Sequence, residues 1–489
     1  MLLIPDFHSL ALIRRNLSLS FRVIRKRFPN QSQKHSHKRE MINRRYKTLF
    51  LFLLLAAVSP PALFAQPRSD TLRMPESLEN CIRYAVLHQP LVRQAQLDER
   101  IAERTIQGKL ADWFPQLTFS FNVQHNPQLP TAIVSGIPIK QGLANSSNAQ
   151  FNVSQTLFNR DVLLASTSAH DIRAFAAERS TSTQIDVVIN VSRAFYAVLV
   201  TKKQIELLDE AIIRLEQSYK DAYTKYQGGI VDKTDYMRAT IALNNARADR
   251  RQADELLRVR YASLREQMGY PPDARLELQY DSTQLEREAW VDTLSSLKYE
   301  KRIEYQLLQT QVRLQEDNLD YNIWGFLPSI AFYGSYTLNY QNSLMSPLYN
   351  QNYPYSFVGL QFSFPIFEGG KRIQQIGQAK AQLDRSVFDL ALLRSSMTTQ
   401  YTQAMANYKS NLNNYRVLTE DLELAQDVYR TIQLQYKAGT RSYLEFISAE
   451  TDLRTAQENQ TNSLYQVLLS KLDVQRALGT VPYYSPEEN

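Results

Sequence analysis
The chain has 489 residues, 44% of them hydrophobic and 21% charged, with a formal net charge of +7 and a pI near 9.1. Nine Lys/Arg against two acids fall in residues 1–40 and three more bases with no acid in 41–65, so the remainder carries 44 bases and 47 acids. The basic surplus belongs to the leader and makes no case for nucleic-acid binding, and a lone cysteine, Cys81, excludes an internal disulfide and any multi-cysteine metal site.

Residues 1–65 read as an over-extended start followed by a signal peptide at about 41–65. Met41-Ile-Asn-Arg-Arg-Tyr-Lys47 is a basic n-region, and the apolar run 49–58 follows it directly. At about ten residues that run is too short to span a bilayer as a helix. Cleavage is expected after Ala65, although Leu63 is larger than the small residue usual at that place. N-terminal sequencing of the processed chain should therefore begin at Gln66; a mature chain starting before Met41 would overturn this.

A first unit is expected over 66–270. Ser77 opens Ser-Leu-Glu-Asn as an N-cap for a helix that ends before Pro90, and a second helix runs from Leu91 to about Trp113. The period then changes to two. Leu117, Phe119, Phe121 and Val123 alternate with Thr118, Ser120, Asn122 and Gln124; after a Pro/Gly/Ser-rich loop, Phe151, Val153 and Leu157 mark a return strand, giving a hairpin over 114–158. Within 113–159 the only charge is Lys140.

The next 67 residues, 161–227, contain no Gly or Pro. As one helix they would extend roughly 100 Å. Gly228 and Gly229 break the run, and 230–268 returns for 39 residues, completing a long helix pair over 161–269. In the return arm Ala239, Ala242, Ala246 and Ala253 form a small-residue seam of coiled-coil spacing. A lone pair of such helices would bury its surface poorly, so partner helices are expected.

After a polar connector at 271–296, a second unit over 297–480 repeats the first. A helix runs from 297 to about Tyr321, and 321–367 contains no Asp, Glu, Lys or Arg. Inside that window Ile330, Phe332, Tyr336 and Leu338 alternate with small or polar residues, as do Val358, Leu360 and Phe362 with Gly359, Gln361 and Ser363, a hairpin over 327–367. Taken singly, such a window fits a transmembrane hairpin or a soluble one packed on helices; two windows favour the membrane. A helix pair at 371–478 and a tail at 481–489 complete the chain. Pro115 and Pro328, Phe158 and Phe367, Tyr226 and Tyr436, Gly229 and Gly439, Ala239 and Ala449, and Gly269 and Gly479 are offset by 209 to 213 residues, which reads as an internal duplication.

The fold class expected is mainly α with a membrane β-barrel part: long helices forming a coiled-coil barrel, plus four strands per chain. Four strands cannot close, and open edges are not tolerated in lipid. Two chains would give eight strands and a filled interior; three give twelve and an aqueous lumen. On this alternation Phe119, Phe121, Val358, Leu360 and Phe362 face outer-membrane lipid, with Ser120 and Gln361 towards the lumen.

Catalytic chemistry is not evident. His88, His125 and His170 are scattered, and Gly369-Gly370-Lys371 lacks the earlier glycine and the following Ser/Thr of a phosphate loop. No enzyme, metal or cofactor is expected.

Together the repeated turns Tyr226-Gln-Gly-Gly-Ile-Val-Asp-Lys-Thr-Asp235 and Tyr436-Lys-Ala-Gly-Thr-Arg-Ser-Tyr-Leu-Glu445, the junction Phe364-Pro-Ile-Phe-Glu-Gly-Gly-Lys-Arg372 and the helix opening at Ser77 resemble the TolC-like outer-membrane efflux channel family. The first junction departs from it, since Leu157-Phe-Asn-Arg-Asp161 has no Gly pair. The resemblance implies a homotrimer whose barrel sits in the outer membrane and whose helical tube crosses the periplasm. It further implies a periplasmic adaptor and an inner-membrane pump as partners. By the same resemblance Gly228, Gly229, Ile230, Ala438, Gly439 and Thr440 are adaptor-docking tips, and Asp235, Tyr436, Arg441 and Glu445 form the periplasmic gate. Where the family pattern can place a second acid three residues after Glu445, this chain has Ser448, which should roughly halve the charge of the ring. The competing expectation is a non-channel periplasmic coiled-coil protein, which accounts for the helices but not for two uncharged windows.

Overall fold
The computed structural model describes residues 76–279 and 282–482. The expected leader, its cleavage after Ala65 and most of the 481–489 tail lie outside the described residues.

Helix α1 (Leu78–His88) starts where expected, the Ser77 side chain accepting the Asn80 N–H at 3.3 Å. Helix α2 (Pro90–Leu110) begins on a proline, which loses no helical hydrogen bond at that position. A 3-10 turn, Ala111–Trp113, leads into the sheet.

The sheet strands are β1 (Gln116–His125), β4 (Asn145–Phe158), β5 (Ser329–Asn342) and β6 (Tyr355–Ser363), antiparallel in the order β1-β4-β5-β6. Each hairpin thus pairs with the other through β4 and β5. Between β1 and β4 the loop is not irregular throughout: β2 (Thr131–Val134) and β3 (Ile137–Lys140) form a small separate hairpin. Ser135 and Gly136, at φ 54 and 81, provide the doubly left-handed turn that a two-residue hairpin needs. Pro130 and Pro138 had masked its alternation.

Register decides which side chains share a face. Phe119 stands opposite Phe151, Phe151 opposite Tyr336, Phe332 opposite Leu360 and Ile330 opposite Phe362. The intervening rows pair Ser120 with Gln150, Gln150 with Thr337 and Ala331 with Gln361. One face is therefore mostly apolar across all four strands and the other mostly polar, because period two is kept in phase from strand to strand except at a bulge near the end of β4 that brings Phe158 opposite Ile330.

The expected single helix over 161–227 is interrupted. Helix α3 (Arg160–Thr167) ends at Ser168, and α4 (Ala169–Gln227) follows. In this Ser/Thr-rich stretch the Thr167 hydroxyl donates to the Leu163 and Leu164 carbonyls, each at 3.2 Å, competing with the helical ladder. Helix α5 (Lys233–Met268) returns, with Ala239, Ala246 and Ala253 of its alanine seam buried. The connector contains a short helix, α6 (Ser282–Glu288). Helix α7 (Ile303–Ile323) starts later than 297, after the 3-10 turn Tyr299–Lys301. Helix α8 (Lys371–Lys437) runs unbroken through Gly377, and α9 (Tyr443–Leu478) closes the fold.

Each long helix carries shorter neighbours in succession. Near its start α4 meets α2 through Arg173–Glu103 and α7 through Arg313–Asp171; further on it meets α5 through Arg250–Asp209 and α9 through Arg193–Asp473. Helix α8 packs first on α7, then on α9. Where α5 ends, Gln89 at the head of α2 donates to the Glu266 and Gln267 carbonyls at 3.1 and 3.0 Å, satisfying acceptors the helix end leaves open.

The main core lies at this mid-level. Cys81, Tyr84 and Ala85 of α1, Val187 to Leu199 of α4, Leu264 and Met268 of α5, Tyr408 of α8 and Val467 to Leu478 of α9 surround connector residues Leu276, Leu278 and Leu285. The polar connector is thus docked rather than loose: Tyr408 donates to the Ala289 carbonyl at 3.0 Å and accepts the Val291 N–H at 2.9 Å.

Candidate functional site
Both turns between long helices have one construction. After α4 the Ile230 N–H donates to the Lys225 carbonyl at 2.9 Å and the Gly229 N–H to that of Tyr226 at 3.0 Å. After α8 the Thr440 N–H donates to Gln435 at 2.9 Å and the Gly439 N–H to Tyr436 at 3.1 Å. Gly229 and Gly439, at φ 69 and 76, supply the left-handed residue that this ending requires. Gly228 and Ala438, at φ −78 and −75, are ordinary helical backbone, so the first glycine of the pair is not demanded by the turn. All six expected tip residues are exposed, Ile230 to 75%.

The chain re-enters helix under side-chain caps. Asp232 accepts the Thr234 N–H at 3.3 Å; Ser442 accepts the Glu445 N–H at 3.3 Å, while the Glu445 carboxylate accepts the Ser442 N–H at 3.0 Å, a reciprocal capping box. Hydrogen bonds from the Ser442 backbone, then from Arg441, hold the Glu445 carboxyl below the usual glutamate range.

The four expected gate residues gather at this end in two groups. Arg441 and Glu445 form an ion pair, and Arg441 Nε also donates to Gln435 at 3.0 Å. Tyr436 instead turns inward. Its ring stacks on Phe446 at 5.1 Å and meets Tyr443 edge-on at 5.8 Å, with Lys225 Nζ 4.1 Å from its centroid. Among the described residues its buried hydroxyl meets no hydrogen-bond partner. Burial, with Tyr443 and Asp235 adding to it, pushes its pKa up to about 12. Asp235 therefore stands near Tyr436, but within the chain Arg441 is engaged with Gln435 and Glu445.

Sequence reading missed the aromatic surroundings of these residues. Tyr219, Tyr223, Tyr226 and Tyr236 form one cluster with centroids 5.4 to 6.2 Å apart, and Tyr429, Tyr436, Tyr443 and Phe446 another. Tyr219, Tyr223 and Tyr226 recur at i, i+4 and i+7, a signal that was available. The pair Arg214–Glu450, joining α4 to α9 at 3.0 Å, had none.

At the other end, Phe119, Phe121, Val358, Leu360 and Phe362 share the apolar face and are 58–77% exposed. Ser120 and Gln361 lie on the opposite face. Where sheet meets helix, Arg160 covers the Tyr321 ring at 4.4 Å and Arg372 that of Phe326 at 4.9 Å, beside exposed Trp113, Phe114, Ile366 and Phe367. Among the described residues no cluster of three or more His, Cys, Asp or Glu stands ready to hold a metal ion.

The sequence pattern of the family described as outer membrane efflux protein matches residues 82–270 and 301–480. Outer membrane protein TolC of Escherichia coli is 23% identical over 429 residues, 84% of each chain. The alkaline protease secretion protein AprF of Pseudomonas aeruginosa is 23% identical over 299 residues, 60% of this chain and 61% of its own. Among solved structures, the outer membrane protein VceC of Vibrio cholerae superposes with a TM-score of 0.67 at 14% identity, covering 82% of this chain and 96% of that one.

Proposed function
The chain belongs to the outer membrane efflux protein family, and from that premise we propose that three copies close a twelve-stranded barrel continuous with a helical tube across the periplasm. The protein is an outer-membrane channel of an efflux or secretion system. As such it carries out no reaction; it offers solutes a water-filled exit.

The observation that carries the trimer is the four-stranded sheet. It has a mostly apolar face, a mostly polar face and two outer strands, β1 and β6, that pair with no further strand among the described residues. In lipid each unpaired backbone group would be left without a hydrogen bond, so β6 of one copy must meet β1 of the next. Rotational symmetry then closes the ring, and twelve strands leave room for a lumen. Phe119, Phe121, Val358, Leu360 and Phe362 face lipid in this arrangement. The cationic and aromatic belt around Arg160, Arg372, Trp113 and Phe326 suits the membrane's periplasmic surface. We take the two halves, 66–270 and 297–480, as duplicates, since both tips end in the same left-handed closure.

The tips dock a periplasmic adaptor, itself joined to an inner-membrane pump. Ile230 is an exposed apolar side chain at the extreme end of a polar helix pair, the kind of contact a docked partner would cover. Replacing Ile230 or Thr440 by Asp preserves the left-handed Gly229 and Gly439 and the backbone closure, although Thr440→Asp also removes the hydroxyl's hydrogen bond to the Gln435 carbonyl. Either change is expected to abolish export while trimers remain in the membrane, read by solute accumulation alongside trimer recovery. Normal export from either variant would reject the docking role.

A further inference from the structure
Where α2 and α7 flank α3 and the start of α4, the helices enclose a cleft of about 460 Å³. Arg173–Glu103 ties α4 to α2 and Arg313–Asp171 ties it to α7, so both walls are held in place before anything enters. Ala102, Ile106, Leu164, Ala165, Ile172 and Leu314 make the lining predominantly apolar, and the volume falls within the range of small-molecule sites. Tyr321, whose ring Arg160 covers, closes the cleft from the last turn of α7.

Two polar groups in this lining are left open. Ser168 is only 3% exposed, and its hydroxyl meets no hydrogen-bond partner among the described residues; the same holds for Oδ2 of Asp317, an oxygen shut off from solvent. Other polar side chains of the lining are engaged: the Tyr321 hydroxyl donates to Asp161 Oδ1 at 2.7 Å, the Thr105 hydroxyl to the Ile101 carbonyl at 2.8 Å, and Asn318 Nδ2 to Gln382 at 3.4 Å. Among the described residues the cleft has two carboxylates, Asp161 and Asp317, against one cation, Lys109, which is exposed at the rim. A carboxylate oxygen withdrawn from water without a donor is costly, and a cation bearing N–H groups removes that cost. The larger cleft at mid-level, about 800 Å³, offers no such opening, because the Arg302 guanidinium in its wall already donates to Glu304 and Gln400.

We infer that this cleft binds a lipophilic ammonium ion, its apolar body against Ile106, Leu164 and Leu314 and its N–H groups donating to Asp317 Oδ2 and the Ser168 hydroxyl. An anion of the same shape would be repelled by Asp317 and Asp161, and Lys109 competes with the ligand for those carboxylates. The site lies between helices of one chain, about 80 Å along α4 from the tip, so its occupancy needs neither a docked adaptor nor a closed barrel. It goes beyond a passive duct, because the wall itself holds a cationic amphiphile beside the sheet.

Calorimetric titration of the purified protein in phosphatidylcholine nanodiscs, with empty discs as the blank, tests this using adamantylamine, a cationic group on a compact apolar cage, against adamantane carboxylate. The ammonium should bind and the carboxylate should not. Asp317→Asn, which keeps the shape of the side chain, should weaken the ammonium at least about tenfold; Lys109→Met should tighten it, which a merely structural role for the aspartate does not foresee; Ala165→Phe, which fills the cleft, should abolish binding. Discs containing phosphatidylethanolamine separate two sources of such an ammonium: weaker probe binding there marks a lipid headgroup as the natural occupant, unchanged binding a free solute. A wild type that takes neither compound, equal binding of both, or an Asp317→Asn protein that binds the ammonium as tightly as the wild type would overturn the site.

Discussion
Phe362→Arg is expected to destabilise the assembled barrel by roughly 2–4 kcal/mol, while Gln361→Arg leaves assembly intact and changes mainly conductance. The two positions are adjacent on β6 and both are exposed in the isolated chain. For a soluble sheet, exposed substitutions of this kind would be nearly equivalent, within about 0.5 kcal/mol. In a barrel they are opposites. Phe362 stands opposite Ile330 in the apolar rows, so an arginine there meets hydrocarbon; Gln361 stands opposite Ala331 on the mostly polar face, where water can solvate the charge. Trimers recovered from outer-membrane fractions and resolved without boiling give the readout. Equal tolerance of both variants would sink the face assignment and the proposed barrel with it.

That contrast could be drawn from sequence because period-two alternation is a local property, and the same holds for the Gly/Pro-free helical runs and the alanine seam of α5. What escaped was either masked by local chemistry or set by contacts distant in sequence. The break at Ser168 falls in a stretch without Gly or Pro, so composition carries no mark of it. The β2–β3 hairpin lay hidden because its prolines look like loop residues. The connector looked polar, yet Leu276, Leu278 and Leu285 anchor it in the main core at positions too irregular to show a period.

The tips divide in the same way. Their closure was readable, since Gly229 and Gly439 stand at a fixed offset with matching neighbours, and only a left-handed residue fits there. The partners of Arg441 were not. Asp235 and Arg441 carry opposite charge on the two turns, but Glu445, one helical turn from Arg441, satisfies the guanidinium locally. Nor were the surroundings of Tyr436 readable, whose ring is held between Phe446 and Lys225 in the single chain.

This geometry sharpens the expectation for the gate. Asp235 and Arg441 belong to different helix pairs, and within one chain they do not pair, so in a closed trimer any tie between them runs across a subunit boundary, where three symmetric copies add up. Charge-assisted hydrogen bonds of that kind are the stronger ones. Combining Asp235→Ala with Arg441→Ser should therefore raise single-channel conductance several-fold in planar bilayers, with trimer yield unchanged because neither side chain is buried. Glu445 is expected to act separately. In the proposed trimer three copies of its carboxylate would form a ring that attracts cations, and with Ser448 in place of a second acid that ring would be sparsely charged. Its carboxyl stays ionised to lower pH than an ordinary glutamate because the Ser442 backbone and Arg441 stabilise the anion. Block by multivalent cations should consequently persist through mildly acidic solution and disappear only as the pH falls through that depressed value. Glu445→Ala should weaken block at every pH above it. Unchanged conductance in the double variant, together with unchanged cation block in Glu445→Ala trimers, would reduce all three residues to ordinary helix-end charges.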